Sequence, residues 1–192
     1  MENISIRKAK LKGGLFLEAS YKKDLDDHSS KEITESSNKP VHDDLKNAFK
    51  GLNKHLPILC DYQTMKKVKD GVFEEADHES EWVKAFSVTG FSIGGEADHE
   101  GVTLTGRKTL ENDKIVNLNT PFTKWVDEDY KFAGELSLAI SSCIFEVKEY
   151  LFNSKCAPEV QLNMFGQCLF KDSILWVRFV SSNSEERGWT CL

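Results

Sequence analysis

The sequence predicts an α+β fold, in which an antiparallel sheet carries two long amphipathic helices on one face. Several segments alternate apolar and polar residues and are separated by short turn sequences, as is typical of antiparallel strands. Two other segments repeat apolar residues every three or four positions, as is typical of helices that pack on a core. Twice along the chain a group of strands precedes one such helix, which favours a duplicated β-β-β-α unit as a further hypothesis.

The first unit opens with a predicted β-hairpin over residues 3–22. The dipeptide Gly13-Gly14 supplies its turn, and partly alternating apolar residues flank it on both sides. A polar loop follows, and a short strand is expected at residues 31–36. These segments form the first part of the predicted sheet.

The first helix is predicted to begin near Pro40. Proline suits a first helical turn, and Asp43 and Asp44 suit the positive end of the helix dipole. Pro57 is expected to kink or end the helix near His55, because proline lacks the N–H that a helix interior needs. The apolar face of this helix consists of Val41, Leu45, Ala48, Phe49, Leu52, Leu56 and Leu59.

The second unit has predicted strands at residues 82–93, 101–110 and 114–119, each bounded by turn or breaker residues. A second helix is predicted from Asp127, which supplies a cap and an acidic first turn, to about Asn153. Its apolar stripe consists of Phe132, Leu136, Ile140, Cys143, Ile144, Val147 and Leu151.

The chain of 192 residues is predicted to comprise an α+β domain at 1–155 and a C-terminal tail at 156–192. A chain of this length can bury a core without disulfides or metal ions. The tail carries a short peptide motif and, at residues 174–180, an apolar run that is typical of an additional strand.

The charge of the chain is acidic, with a formal net value of −6 at pH 7. This argues against a protein that chiefly holds nucleic acid through its phosphates, because such proteins need a basic face. Residues 61–100 hold ten acidic and four basic side chains. We interpret them as solvated loop sequence; the alternative is an acidic surface that binds a partner.

A cluster of lysines on the first hairpin is the candidate nucleic-acid-binding site. Basic residues beside Phe16 and Tyr21 on a sheet could bind single-stranded nucleic acid. The favoured alternative is that lysines on an edge strand prevent aggregation. The cluster consists of Lys8, Lys10, Lys12, Lys22 and Lys23.

The most specific short motif is Gln161–Phe165, with the sequence QLNMF. It resembles the peptide through which proteins bind the bacterial sliding clamp. Gln161 would place its amide at the rim of a pocket, and Leu162, Met164 and Phe165 would fill apolar subsites. The alternative is that these three apolar side chains pack on the protein itself.

No catalytic constellation is evident. The segment Glu75–Glu79 recurs as Glu96–Glu100, and each copy carries an acid-acid-histidine cluster. The two could form a divalent-metal site only if the intervening strand folded back, so we interpret them as solvated loops and predict no metal site. His55 is interpreted as a structural residue on the first helix. No phosphate-binding loop or dinucleotide fingerprint occurs, and no cofactor is predicted.

The five cysteines form no Cys-x-x-Cys pair, and Cys60 and Cys143 lie on apolar helical stripes. This pattern is typical of reduced core cysteines, which predicts a cytoplasmic location. The N-terminal sequence does not resemble a signal peptide, and no apolar run is long enough to span a membrane.

Two segments carry a family resemblance. The sequence GVTLTGRKTLENDKIVNLNTP at Gly101–Pro121, with the helix that follows it, is similar to a family of uncharacterised proteins encoded by tailed phages and prophages of gut bacteria. The sequence PVHDDLKNAFKGLNKHLPIL at Pro40–Leu59 resembles the same family. The resemblance implies a phage protein in the host cytoplasm and carries over no catalytic residues.

The sequence therefore favours a non-enzymatic phage accessory protein that binds the host replication or recombination machinery, with the sliding clamp as a candidate partner of Gln161–Phe165. One alternative is an inhibitor of a bacterial immune system, which binds an effector protein or sequesters a nucleotide signal. The others are a minor virion component and a metal-dependent enzyme that uses Asp77, His78, Asp98 and His99. No membrane partner is predicted, and the oligomeric state and any nucleic-acid partner are left open.

Overall fold

A computed structural model of the protein describes residues 4–26, 29–62, 81–96, 99–126, 129–158, 161–162 and 168–169. The chain divides into two compact units, Met1–Cys156 and Ala157–Leu192. In the second unit the described residues form one short antiparallel hairpin of β8 (Gln161–Leu162) and β9 (Cys168–Leu169). All the other elements belong to the first unit.

The first unit is built on a seven-stranded sheet with the order β3-β2-β1-β4-β5-β6, in which β7 also pairs with β5. Every neighbouring pair is antiparallel. From the central β1/β4 pair outward, the strands follow their order in the chain: β1, β2 and β3 on one side, and β4, β5 and β6 on the other. A duplicated β-β-β-α unit would give this order. The strands are β1 (Ile4–Lys12), β2 (Phe16–Asp26), β3 (Ser29–Pro40), β4 (Phe86–Gly94), β5 (Gly101–Thr109), β6 (Ile115–Asn119) and β7 (Thr123–Lys124).

Four helices accompany the sheet in the described part of the chain. Two are substantial: α1 with 9 residues and α4 with 20 residues. The other two are a short helix after α1 and a single turn before β4. Their bounds are α1 (Asp43–Gly51), α2 (His55–Leu59), α3 (Glu81–Lys84) and α4 (Ala133–Phe152). No helix in these ranges is long and apolar enough to cross a bilayer.

The first predicted helix is two helices, α1 and α2, with a break at residues 52–54. It begins at Asp43 and not at Pro40, because His42 caps it: the Asp44 N–H donates to His42 Nδ1 at 3.2 Å. Pro57 lies in the first turn of α2, where a missing N–H costs nothing. Pro57 therefore lies at the start of α2 and not in the interior of α1.

The helix α4 begins at Ala133, later than the predicted start at Asp127. Its N-cap residue is Phe132, whose side chain cannot cap. Tyr130 and Phe132 are instead buried in the core before the helix starts. The first acidic residue of the helix is Glu135, so the acidic run 127–129 does not serve as its first turn.

One hydrophobic core lies between the sheet and the helices, which confirms the predicted α+β class with helices on one face of an antiparallel sheet. Apolar residues alternate along the strands, and the core positions of β1 and β2 include Ala9, Leu17 and Tyr21. The largest helix contributions come from Leu45 and Phe49 of α1 and from Leu136, Ile140, Cys143 and Val147 of α4.

The two halves of the sheet meet at a short β1–β4 junction. β1 and β4 pair over only three positions, Lys8–Lys10 with Gly90–Ser92. Gly90 is required there because an added Cβ would lie 2.9 Å from the carbonyl oxygen of Ala9. Beyond the junction the two strands are not paired with each other, so the sheet has an opening at each end of it.

Candidate functional site

One opening of the β1–β4 junction forms a cavity of about 640 Å³. It lies between the end of β1 with its Gly13-Gly14 turn and the start of β4, and α1 lines it as well. Both faces of the sheet contribute to it: Leu11 and Val88 are core residues, whereas Lys10 and Thr105 alternate with core positions and lie on the open face. We call this cavity the basic cleft.

Within the described part of the chain, the charged side chains that line the basic cleft are all cations, and no carboxylate is among them. Two come from β1, two lie one helical turn apart on α1, and one comes from β5. An anion in the cleft would therefore meet attractive charge from three separate elements. The five cations are Lys10, Lys12, Lys46, Lys50 and Arg107.

Two of these cations are held by carboxylates outside the cleft. Lys12 forms an ion pair with Glu18, and its ammonium holds the pKa of that carboxyl below its ordinary value. Lys46 pairs with Asp43 at 2.8 Å and lowers the pKa of Asp43 in the same way. Each of these two ammonium groups is therefore largely compensated by its carboxylate.

The remaining cations of the basic cleft, Lys10, Lys50 and Arg107, form no ion pair with any residue that the structure describes. Lys50 donates to a neutral partner, the Asn47 side-chain oxygen, at 3.5 Å. Three positive groups from three elements are thus available to a ligand.

Neutral polar groups complete the lining and give the basic cleft hydrogen-bonding capacity. One of them, Asn53, has a structural role. The β1–β4 pairing ends at Gly90, and the Val88 N–H donates to Asn53 Oδ1 at 2.8 Å instead of to β1. The polar lining residues are Asn53, Ser87, Thr89, Thr105, Asn117 and Asn119. Such donors and acceptors could orient a ligand that cations alone would only attract.

The structure places the predicted lysine cluster at the centre of the sheet. β1 lies between β2 and β4, so the interpretation of its lysines as edge-strand charges is wrong. Lys8, Lys10 and Lys12 share the open face, and by alternation from buried Tyr21 so does Lys22, whereas Lys23 lies on the opposite face. Only Lys10 and Lys12 of this cluster reach the basic cleft.

The aromatic residues expected beside these lysines do not form a stacking surface with them. Tyr21 is a core residue, and its hydroxyl donates to Glu35 Oε1 at 2.6 Å, which raises the pKa of Tyr21 to about 12. Phe16 is half-buried. The pair therefore offers no exposed platform on which successive bases of a single strand could stack.

The two histidine-containing segments are described only in part. The first copy, at 75–79, lies outside the described residues, as do Ala97 and Asp98 of the second copy. Glu100 instead accepts from Arg7 at 3.2 Å and from the Trp125 indole at 3.3 Å. Among the described residues no group of three or more histidine, cysteine or acidic side chains could hold a metal ion.

His55, which the sequence places on the first helix, is fully buried, and its Nδ1 lies 2.6 Å from the hydroxyl of Tyr130. It has the structural position expected of it. Cys143 is buried as predicted, whereas Cys60 is only half-buried at the end of α2.

The clamp-like motif is described only in part. Gln161 and Leu162 form β8, which pairs with β9. Asn163, Met164 and Phe165 lie outside the described residues, as does the apolar run 174–180. The assignment of a partner to this motif stays a prediction.

Three cations of the basic cleft were missed by sequence reasoning: Lys46, Lys50 and Arg107. Lys46 and Lys50 are spaced by four on the polar face of a helix, and Arg107 alternates with core residues on a strand. Each pattern is also that of an ordinary solvated surface. Only the pairing of β1 with β4 brings them together with Lys10.

Comparisons with known proteins do not add to this picture. The chain matches no protein-family model, no curated protein and no solved structure. The resemblance to phage-encoded proteins therefore stays a prediction, and function has to be argued from the basic cleft.

Proposed function

We propose that the protein binds a phosphorylated small molecule of the nucleotide class in the basic cleft, without chemical change to it. The observation that carries this proposal is the lining itself: among the described residues, five cations from three elements and no carboxylate surround one cavity. Phosphate groups are the anions that several converging lysine and arginine side chains bind best.

The size of the cavity supports a ligand larger than a single phosphate. Pockets that bind small molecules and cofactors usually have volumes of roughly 300–1,000 Å³, and the cleft has about 640 Å³. Its asparagine, serine and threonine side chains supply both donors and acceptors, which suits the sugar and base of a nucleotide.

This proposal corresponds to one of the alternatives that the sequence leaves open, a protein that sequesters a nucleotide signal. Small molecules are favoured over a single nucleic-acid strand for two reasons. The basic residues converge on one cavity, and Phe16 and Tyr21 offer no exposed stacking surface beside them.

The proposal is tested by isothermal titration of the purified full chain with ATP, cyclic di-GMP, inorganic pyrophosphate and adenosine. We expect at least one phosphorylated compound to bind and uncharged adenosine not to bind. Lys10→Ala and Arg107→Ala are each expected to weaken binding about tenfold, the effect of about 1.4 kcal/mol. Added salt should weaken binding further.

The matched control is Lys22→Ala. Lys22 lies on the same face of the sheet as Lys10 but does not line the basic cleft. It should leave the affinity unchanged within twofold. If none of the phosphorylated compounds binds, or if Lys22→Ala weakens binding as much as Lys10→Ala does, the proposal is wrong.

A further inference from the structure

The outward side of α4 carries a second apolar stripe, distinct from the one that faces the core. Leu138 is 71% exposed, Phe145 60% and Phe152 43%. These residues are spaced by seven, close to two helical turns, so they lie along one line of the helix. By the same periodicity the line is on the side opposite to the buried face, which includes Leu136 and Val147. We call it the outer stripe.

The outer stripe distinguishes α4 from α1. The outward positions of α1 hold Asp43, Asn47 and Lys50, as is typical of a helix with one face in water. α4 is apolar on both sides, as is typical of helices that are covered on both sides. Large apolar side chains that are exposed together mark surfaces at which proteins associate.

The polar residues between Leu138 and Phe145 on the outward side are hydrogen-bonded within the helix. Ser141 donates its hydroxyl to the Ser137 carbonyl at 2.8 Å, and Ser142 donates to the Leu138 carbonyl at 3.1 Å. Burial of a polar group costs little when its hydrogen bond is kept. The two serines are also small, so they leave room for larger side chains of a partner.

The apolar positions of the outer stripe are complementary to themselves. Phe145 lies midway between Leu138 and Phe152. If a second copy of α4 is turned end over end about Phe145, each Leu138 lies on the other copy's Phe152 and the two Phe145 rings lie on each other. This is the symmetry of a two-fold dimer, in which both copies use the same patch.

The charges beside the outer stripe fit the same arrangement. The two charged residues nearest to Phe145 on this side of α4 are Lys148 and Glu149, which are of opposite sign. In the antiparallel pair Glu149 lies opposite the second copy's Ser142, and Lys148 lies opposite the second copy's Ser141. Neither residue faces a like charge, so the net charge of −6 on each chain is not concentrated at the contact.

We propose that the protein forms a two-fold symmetric dimer through the outer stripe, with the two α4 helices packed antiparallel. α4 has 20 residues and is about 30 Å long. A contact confined to one helix of each copy lies at the lower end of specific interfaces, about 1,200 Å² in total. We therefore expect a reversible dimer with a Kd in the micromolar range. The described lining of the basic cleft includes no residue of the outer stripe, so the dimer does not rest on the proposed ligand.

The test is sedimentation velocity of the purified full chain with a reducing agent, over concentrations of about 1–500 μM. We expect the mean sedimentation coefficient to rise with concentration from that of a monomer toward that of a dimer. Phe145→Ser should weaken dimerisation at least tenfold, because Phe145 lies at the two-fold axis and both copies lose the ring. Leu138→Ser should weaken it in the same direction.

The matched control is Ile115→Ser. Ile115 is 56% exposed on β6, so this variant removes a similar apolar area away from α4. It should leave dimerisation unchanged within twofold. Circular dichroism checks that all three serine variants, which replace exposed side chains, keep the wild-type fold.

Disulfide trapping tests the position of the two-fold axis. Under mild oxidation Phe145→Cys should form more cross-linked dimer than the wild type, which has cysteines of its own, and Ile115→Cys should not. The proposal is overturned if the wild-type chain stays monomeric over this range, which would leave the outer stripe to a different protein. It is also overturned if Phe145→Ser dimerises as the wild type does, or if Phe145→Cys gives no additional cross-link.

Discussion

The buried contact between His55 and Tyr130 shows how single polar groups are accommodated in this core. Both residues are buried, and Tyr130 Oη lies 2.6 Å from His55 Nδ1. Burial raises the pKa of Tyr130, so its hydroxyl stays protonated and shares a hydrogen bond with the imidazole nitrogen. The contact joins α2 to the segment that precedes α4 and therefore links the two halves of the fold.

Removal of this hydroxyl should destabilise the protein. Tyr130→Phe leaves the buried His55 Nδ1 without this hydrogen-bond partner, which typically costs about 1–3 kcal/mol. The matched control is Tyr21→Phe. The Tyr21 hydroxyl donates to the part-exposed Glu35, a carboxylate that water can solvate when the hydroxyl is removed. We expect a loss of no more than about 1 kcal/mol there. Urea unfolding measures both, and equal losses for the two variants would contradict the account.

At the scale of elements, local patterns predicted most strands and the core face of α4. Buried Leu136, Ile140, Cys143 and Val147 lie on the predicted stripe. The predicted helix boundaries were wrong where a residue type suits two different positions in secondary structure. Pro40 ends β3 and does not start a helix, and Pro57 lies in a new helix and does not kink the old one. The position of each proline cannot be predicted without knowing the neighbouring strand or turn, because proline fits strand ends and first helical turns equally.

The β1–β4 junction depends on the absence of a side chain at Gly90. Gly90→Ala brings Cβ to 2.9 Å from the Ala9 carbonyl oxygen, so backbone must shift, at a cost of about 1–3 kcal/mol. Gly134→Ala is the matched control, since nothing lies within 4 Å of the added Cβ in the first turn of α4. It should stabilise the protein by about 0.4–1 kcal/mol.

Thermal unfolding of the two glycine variants measures this difference directly. The account predicts shifts of opposite sign, a lower midpoint for Gly90→Ala and a higher one for Gly134→Ala. A Gly90→Ala variant as stable as the wild type would show that the two halves of the sheet do not need this close approach.

The clamp-binding hypothesis concerns Gln161–Phe165, of which Gln161 and Leu162 are described, in β8. If Gln161–Phe165 binds a sliding clamp, the wild-type chain should capture the clamp from bacterial lysate. A Leu162→Ala/Phe165→Ala double variant of unchanged fold should lose at least tenfold of the recovery, because apolar anchors dominate such peptide contacts. Equal recovery of the same partner by both chains would count against the motif.

For the whole molecule, the decisive feature is that the two halves of the sheet, β1–β3 and β4–β6, pair with each other over only three positions of β1 and β4. The sequence predicted the α+β class and the grouping of strands with helices, but not which strands lie at the centre. That order depends on contacts between residues near 10 and residues near 90, which no local pattern encodes. The basic cleft lies at this β1–β4 junction. The first hairpin alone therefore predicted Lys10 and Lys12 as site residues, whereas Lys46, Lys50 and Arg107 were not predicted.

Amide chemical-shift mapping by NMR, in titrations with ATP, cyclic di-GMP and inorganic pyrophosphate, tests most directly whether a phosphorylated ligand binds in the basic cleft. We expect the largest shifts at residues that line the basic cleft, and none with adenosine. These residues are 10–14, Lys46, Phe49, Lys50, Asn53, 87–89 and 105–107. Largest shifts elsewhere on the open face, such as around Lys22, or no saturable shifts at all, would contradict the account.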